Sequence, residues 1–185
     1  MSTDFAAALR RRKPERRLRP LRQRDPSLLT GVDHLPPGPI GLVLDTNVYI
    51  DDAAGNLPPA VVALRDRALL FHCSVCLAEL AVGVANGDPG HPSWAATRDH
   101  YTGLIASVPA TRLLVPDAST WAEAGLVAGT LARTQGLQRH QRKEALNDAL
   151  ILLTAARAGL AVLTANRAEF DLLQQLAPEG RFVQY

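Results

Sequence analysis

Cysteines, aromatic residues and long apolar runs are all scarce in this sequence of 185 residues. Two cysteines are too few for a disulfide scaffold, and no apolar segment near the start resembles a secretory signal. The longest apolar stretches, such as residues 149–153, fall far short of the roughly 18 residues that a membrane span requires. Hydrophobic residues nevertheless make up 47% of the chain. We therefore expect a cytoplasmic protein with one hydrophobic core and no membrane partner.

The net charge of +2 conceals an uneven distribution of charge along the chain. Residues 1–40 hold nine Lys and Arg against four Asp and Glu, whereas residues 41–185 hold eleven against fourteen. We expect residues 1–37 to form a flexible Arg-rich extension, in which Pro14 and Pro20 prevent one continuous helix. Such a segment binds phosphate polymers or acidic surfaces. The alternatives are a solvated tail without a partner and a transit peptide, although Asp4, Glu15 and the scarcity of Ser argue against the latter.

From residue 38 to residue 185, short apolar runs alternate with helical patterns. Continuous apolar runs are typical of strands that are buried on both faces, and strands that alternate with helices indicate a parallel sheet. The sequence therefore predicts one α/β domain with three layers, a central parallel sheet covered by helices on both faces. The predicted strands are residues 40–44, 69–73, 111–115, 160–164 and 181–185, and the predicted helices are residues 58–68, 75–85, 117–135 and 143–158.

Polar side chains follow two of these strands directly. Asp45 ends the first strand, and Asn166 follows Thr164 at the end of the fourth. Ligands of such sheets bind beyond the carboxyl ends of the strands, so these side chains are candidates for a site. Taken alone, Asp45 is better explained as a turn or helix-capping residue.

Further acids interrupt apolar helical patterns. Glu79 and Asp148 are surrounded by apolar neighbours, and Glu144 lies four residues before Asp148 on the same helical face. A buried carboxylate needs a partner, which is either an internal arginine or a metal ion. Oxygen ligands without His or Cys favour Mg²⁺ or Mn²⁺. Because no covalent nucleophile with an adjacent base is evident, the chemistry that this set favours is metal-assisted phosphodiester hydrolysis.

The order of these motifs resembles that of PIN-domain ribonucleases, in particular the VapC toxins of bacterial toxin–antitoxin pairs. The matching segments are residues 44–48, 78–80, 147–151 and 163–170, in a match that spans residues 42–185. The resemblance implies a metal site formed by Asp45, Glu79 and Asp148, with Asn166 as a fourth catalytic residue. It also implies supporting hydrogen bonds from Thr46, Asn47 and Thr164, an RNA substrate, a small antitoxin partner and a homodimer. The Arg-rich extension departs from the family pattern, and Glu169 stands where Asp is more usual.

Several other features have both a functional and a structural interpretation. If the substrate is RNA, basic residues could bind its phosphates, or they could be solvated surface. Cys73 and Cys76 are spaced as a redox pair but are expected to be ordinary buried thiols. Trp94 and Trp121 are expected to be packing anchors, because no aromatic ladder accompanies them. The candidate RNA-binding residues are Arg10, Arg11, Arg12, Lys13, Arg16 and Arg17 in the extension, and Arg139, Arg142 and Lys143 before Asp148.

Two alternative functions remain at this point. The first keeps the fold but makes it a noncatalytic RNA-binding module, against which the acidic set argues. The second is a phosphatase of the haloacid-dehalogenase type, whose first strand also ends in Asp. That class usually carries another Asp two residues later, where this chain has Asn47. Metal-dependent RNA cleavage and turnover of small phosphate esters distinguish the three possibilities.

Overall fold

The computed structural model describes residues 5–185, and its five strands form one parallel sheet. The spatial order is β3-β2-β1-β4-β5, so the first strand lies in the middle. Each strand lies within one of the five apolar runs, which confirms the predicted α/β class. The strands are β1 (Gly41–Leu44), β2 (Leu69–Cys73), β3 (Leu113–Leu114), β4 (Ala161–Thr164) and β5 (Phe182–Gln184).

Eight α-helices in residues 5–185 cover both faces of this sheet, as the three-layer prediction requires. None of these helices is both long and apolar enough to cross a bilayer. The helices are α1 (Phe5–Arg12), α2 (Thr46–Ala53), α3 (Pro59–Arg67), α4 (Ser74–Asn86), α5 (Trp94–Ser107), α6 (Ala118–Gln135), α7 (Arg139–Arg157) and α8 (Arg167–Leu176).

The central position of β1 explains its continuous apolar run. Leu42 pairs with Leu70 on one side and with Ala161 on the other, and its own side chain is fully buried. Because helices pack on both faces of the sheet, every residue of a central strand meets apolar neighbours. The first polar residue after this strand, Asp45, therefore emerges at the carboxyl edge of the sheet between β2 and β4.

Local signals account for the ends of the two longest helices. The Asp117 side chain accepts a hydrogen bond from the backbone N–H of Thr120 at 2.7 Å and so caps α6. Gly136 ends α6 in the left-handed conformation, with φ at 65°, which a glycine adopts without steric cost. Helix α7 begins at Arg139, four residues before the predicted start, because Gln138 and Gln141 form a capping box.

The N-terminal extension packs on the domain, which differs from the flexible segment expected from its composition. Helix α1 lies against α6, and Leu29 is buried in the main core. The backbone N–H of Gln184 donates to the Thr30 carbonyl at 2.9 Å, so the extension also covers the free edge of β5. Residues 1–4 of the extension lie outside the described part of the chain.

Buried acids on the domain explain why the extension is held. Arg12 lies 2.9 Å from Glu123 on α6, and the two side chains are only 4% and 3% exposed. Burial by itself raises the pKa of Glu123, but the hydrogen bond from Arg11 and the charge of Arg12 bring it below its usual value. Arg24 pairs in the same way with the buried Asp171 of α8 at 2.5 Å. The arginines therefore neutralise carboxylates that the folded domain has removed from water.

Candidate active site

Asp45 lies at the carboxyl end of β1 and caps α2. Its side chain accepts hydrogen bonds from the Thr46 N–H at 2.8 Å, from Asn47 Nδ2 at 2.6 Å and from the Thr164 hydroxyl at 2.6 Å. Burial, together with the negative charge of Glu79, raises the pKa of Asp45 to about 6, although these hydrogen bonds act in the opposite direction. The carboxylate is therefore held in one position, although its ionisation is costly.

Glu79 approaches Asp45 from the middle of α4. Asn147 Nδ2 donates to Glu79 Oε1 at 2.7 Å, and the Thr46 hydroxyl donates to Oε2. The two donors come from α7 and α2. Each carboxylate oxygen of Glu79 is therefore oriented by a donor from a different helix.

Asp148 lies on α7 and is 8% exposed. Burial raises its pKa well above the usual range, and the nearby carboxylates of Asp45, Glu79 and Glu169 raise it further. Its Oδ2 accepts a hydrogen bond from Asn166 Nδ2 at 3.1 Å. Among residues 5–185, no Lys, Arg or His forms an ion pair with Asp45, Glu79 or Asp148. The negative charge of the site therefore has no cationic partner in the described chain.

One cavity of about 680 Å³ brings the acids together. Thr164 lies behind this cavity, where it is fully buried and fixes Asp45. Leu131 and Gln135 of α6 and Leu172 of α8 form other parts of the wall. The sequence-predicted residues that line the cavity are Asp45, Thr46, Asn47, Glu79, Glu144, Asp148 and Asn166.

The residues that the sequence interpretation missed act mainly as supports. Asn147 orients Glu79, and Glu169 adds a further carboxylate to the cavity wall. The Tyr185 hydroxyl donates to Asp51 Oδ2 at 2.8 Å and so ties the end of the chain to α2. Asn147 and Glu169 lie in two of the segments that carry the family resemblance. Their closeness in sequence to Asp148 and Asn166 could have marked them as site residues.

The donor chemistry of the cavity fits a hard divalent cation. Its carboxylate and amide side chains present oxygen ligands, and no side-chain cation within residues 5–185 pairs with Asp45, Glu79 or Asp148. No three His, Cys, Asp or Glu side chains in the described residues are already grouped closely enough to hold a metal ion. The set therefore has the composition of a Mg²⁺ or Mn²⁺ site, but its carboxylates would have to draw closer on binding.

The basic residues near α7 divide between two surfaces. Arg139 and Lys143 line a second cavity, which shares Glu79 and Glu144 with the acid cavity. Arg142 lies apart from them, since it donates to the Leu137 carbonyl at 3.1 Å and lines a separate groove with α6. Of the three residues predicted to bind RNA here, only two are therefore adjacent to the acids.

The extension residues proposed to bind RNA also differ in their surroundings. Arg12 is buried between Glu123 and Glu179 and is not accessible to a substrate, which corrects its assignment as an RNA-binding residue. Arg11 also reaches Glu123, at 2.7 Å. The side chains of Arg10, Lys13, Arg16 and Arg17 lie on the exposed surface.

A five-stranded parallel sheet with helices on both faces and acids at its carboxyl edge defines a PIN-like α/β fold. The chain is similar to VapBC2 from Rickettsia felis, solved with a DNA fragment from its promoter, with a TM-score of 0.55, 17% identity and coverage of 79% of this chain and 99% of that chain. It is similar to FitAcB from Neisseria gonorrhoeae, with a TM-score of 0.55, 25% identity and coverage of 78% and 96%.

A third similar structure is VapBC-5 from Mycobacterium tuberculosis, a member of the VapBC family of toxin–antitoxin systems. The TM-score is 0.52 at 24% identity, with coverage of 80% of this chain and 100% of that chain. No protein-family model matches the chain, and no curated protein matches it either. The likeness confirms, for the fold, the resemblance to VapC-like proteins that the sequence motifs indicated.

Proposed function

We propose that the protein is a Mg²⁺- or Mn²⁺-dependent endoribonuclease that acts as the toxin of a toxin–antitoxin pair. The single observation that carries this proposal is the convergence of Asp45, Glu79 and Asp148 on one cavity without a side-chain cation among the described residues. Such a set needs a hard cation to be stable when fully ionised. A bound divalent ion would supply charge neutralisation at a phosphate and a reactive water.

The protein's own contribution is to fix the acids before substrate arrives. Asp45 is held by three donors, Glu79 by two, and Asp148 by Asn166. Oxygens oriented in this way would ligate a divalent ion, and that ion would neutralise the charge that develops on the phosphate. In the proposed reaction, water attacks phosphorus, the bond to one ribose oxygen breaks, and that oxygen leaves with a proton.

An antitoxin is proposed as the partner on the basis of the similar structures, which are complexes of toxin–antitoxin systems. The uncompensated acids offer a site for a basic side chain, because an arginine pairs with carboxylates through two parallel hydrogen bonds. The homodimer also remains a proposal, and light scattering at working concentrations tests it. A monomer alone would contradict it.

The experiment that tests the enzyme uses labelled RNA with Mg²⁺, with Mn²⁺ and with EDTA. We expect cleavage in the presence of either metal and none in EDTA, while Asp45→Asn and Asp148→Asn lose cleavage. Asp99→Asn serves as a matched control, since Asp99 is an exposed acid that pairs with Arg98 on α5. Undiminished cleavage in EDTA, or in both site variants, would contradict the assignment as a metal-dependent nuclease.

The second candidate is the noncatalytic RNA-binding module. The exposed basic residues of the extension and of α7 favour it, since they need no metal to contact phosphates. RNA binding without cleavage under any metal condition would support this alternative. The phosphatase alternative predicts turnover of small phosphate esters, and their hydrolysis by the same preparation would identify it.

A further inference from the structure

A groove runs beside the acid cavity between α4 and α7. It has a volume of about 1020 Å³, and both Glu79 and Glu144 line it as well as the acid cavity. The lining residues on α4 extend from Ser74 to Gly83, a distance of about 13 Å at the helical rise of 1.5 Å per residue. The groove therefore suits an elongated ligand, which would contact Glu79 and Glu144 where the groove adjoins the acid cavity.

The groove contains an exposed apolar surface centred on an indole ring. Trp121 is 49% exposed and Val82 is 53% exposed, although both have large apolar side chains. The other tryptophan is engaged elsewhere, since Trp94 donates its Nε1–H to the Val84 carbonyl at 3.0 Å and lies against Arg98. Trp121 is thus less buried than the packing anchor expected from sequence, and about half of its surface is open to a ligand.

The α7 side of the groove is basic. Arg139, His140 and Lys143 line it, and the acid on this side, Glu144, also lines the acid cavity. Neither Arg139 nor Lys143 forms an ion pair within residues 5–185. A polyanion would gain favourable contacts with this wall and release counterions.

We propose that this groove binds single-stranded RNA, with one unpaired base stacked on Trp121 and the phosphates beside Arg139 and Lys143. The proposal rests on the nuclease function of the adjacent acids, because it places the strand that they would cleave. An exposed indole accepts any base through stacking, whereas bases within a duplex are already stacked on one another. Arg139 and Lys143 form no ion pair within residues 5–185 and can pair with phosphates, whereas an apolar protein segment would leave both without a partner.

The first test uses fluorescence from single-tryptophan variants, since the chain has two tryptophans. Trp94→Phe leaves only Trp121, and Trp121→Phe leaves only Trp94. In EDTA, a short oligouridylate should quench the Trp94→Phe protein and leave the Trp121→Phe protein unchanged. A blunt RNA duplex should quench neither. The proposal is overturned if oligouridylate binds to the Trp94→Phe protein by anisotropy without quenching, or if the duplex quenches equally.

The second test measures the affinity for the same oligouridylate in EDTA. Trp121→Ala should bind about tenfold more weakly or worse, whereas Trp121→Phe should stay within about threefold, because base stacking needs a ring. Arg139→Gln with Lys143→Gln should reduce the slope of log affinity against log salt by about 1.4. A control with Arg65→Gln and Arg98→Gln removes equal charge elsewhere and should keep the slope. Unchanged affinity in Trp121→Ala would overturn the proposal.

Cleavage assays on the same variants separate this proposal from the nuclease assignment. Metal-dependent cleavage together with no effect of Trp121→Ala on RNA affinity would leave the nuclease intact and refute the groove. Specific quenching together with no cleavage by the wild type would support RNA binding in the groove and contradict the nuclease assignment. If Trp121→Ala instead releases a copurifying protein and leaves RNA affinity unchanged, the groove binds a protein segment and the proposal is wrong.

Discussion

Replacing Asp148 by Asn tests whether the acid cavity destabilises the protein when no metal is bound. The pKa values of Asp148 and Asp45 both lie above their ordinary value of 3.8, first because of burial and then because of neighbouring carboxylates. The native state therefore holds protons that the unfolded chain has released. Under these conditions the free energy of unfolding falls as the pH rises above about 4.

The size of this effect follows from the native pKa values. A carboxyl that is protonated only in the native state lowers the free energy of unfolding by about 1.4 kcal/mol per pH unit. For Asp45, the interval from 3.8 to about 6 corresponds to about 3 kcal/mol. Asp148→Asn removes one such group and keeps an oxygen that can accept the Asn166 hydrogen bond. The variant should therefore be more stable at pH 7, with a shallower decline as the pH rises.

Thermal melts in EDTA between pH 4 and pH 7.5 measure this difference. The melting temperatures of the variant and the wild type should diverge by up to about 3–5 °C per pH unit, given about 2–4 °C per kcal/mol for a chain of this size. Asp99→Asn is the matched control, since Asp99 is an exposed acid on α5 outside the cavity, and it should follow the wild type. Parallel curves for Asp148→Asn and wild type, or a less stable variant at pH 7, would refute the reasoning.

Three further predictions concern metal binding and the extension. Mg²⁺ should raise the melting temperature of the wild type, because it binds preferentially to the native state. It should raise the melting temperature of Asp45→Asn much less, and equal shifts would exclude Asp45 as a ligand. Arg12→Ala should lower the free energy of unfolding, measured in urea, by about 3 kcal/mol, because Glu123 and Glu179 lose a buried partner. Arg16 is exposed, so the control Arg16→Ala should change the free energy of unfolding little. Because the pKa of Glu123 is lowered, its ionised form stabilises the protein above about pH 4.5 and loses this effect as the pH falls through the native pKa. Glu123→Gln should therefore flatten the acid limb of the stability curve, and an unchanged limb would contradict the role of its ion pairs.

The sheet and the positions of the acids were predictable because both depend on local sequence patterns. A buried parallel strand requires a continuous apolar run, and the residue that ends the run lies at the carboxyl edge. Asp45 and Asn166 could be placed in this way. Glu79 and Asp148 could be recognised as special because each interrupts an apolar helix.

The docking of the extension could not be predicted from composition, because its contacts are distant in sequence. Arg11 and Glu123 are 112 residues apart, and Arg12 and Glu179 are 167 apart. A partial signal was nevertheless present. The argument that a buried acid needs a partner applies to Glu123 and Asp171 as it does to Asp148, and the extension supplies the arginines.

The exposure of Trp121 shows a different limit of sequence patterns. A tryptophan in an apolar helical pattern is usually a packing residue, and Trp94 does contact the chain in this way. Which face of α6 is buried depends on how α1, α7 and α8 pack against it. That information comes from tertiary packing, so the indole beside the acids was visible only in the structure.

The ion pairs of the extension also impose an order on folding. A ribosome completes Arg12 long before it makes Glu179, 167 residues later. The Arg-rich segment therefore emerges with none of its acidic counterparts yet made, and on the ribosome it cannot form these ion pairs until Glu123, Asp171 and Glu179 have been synthesised. Contacts of such large sequence separation slow folding because a long loop must close before they form. These ion pairs should therefore form late during synthesis, and salt should weaken the association of the beginning of the chain with its end.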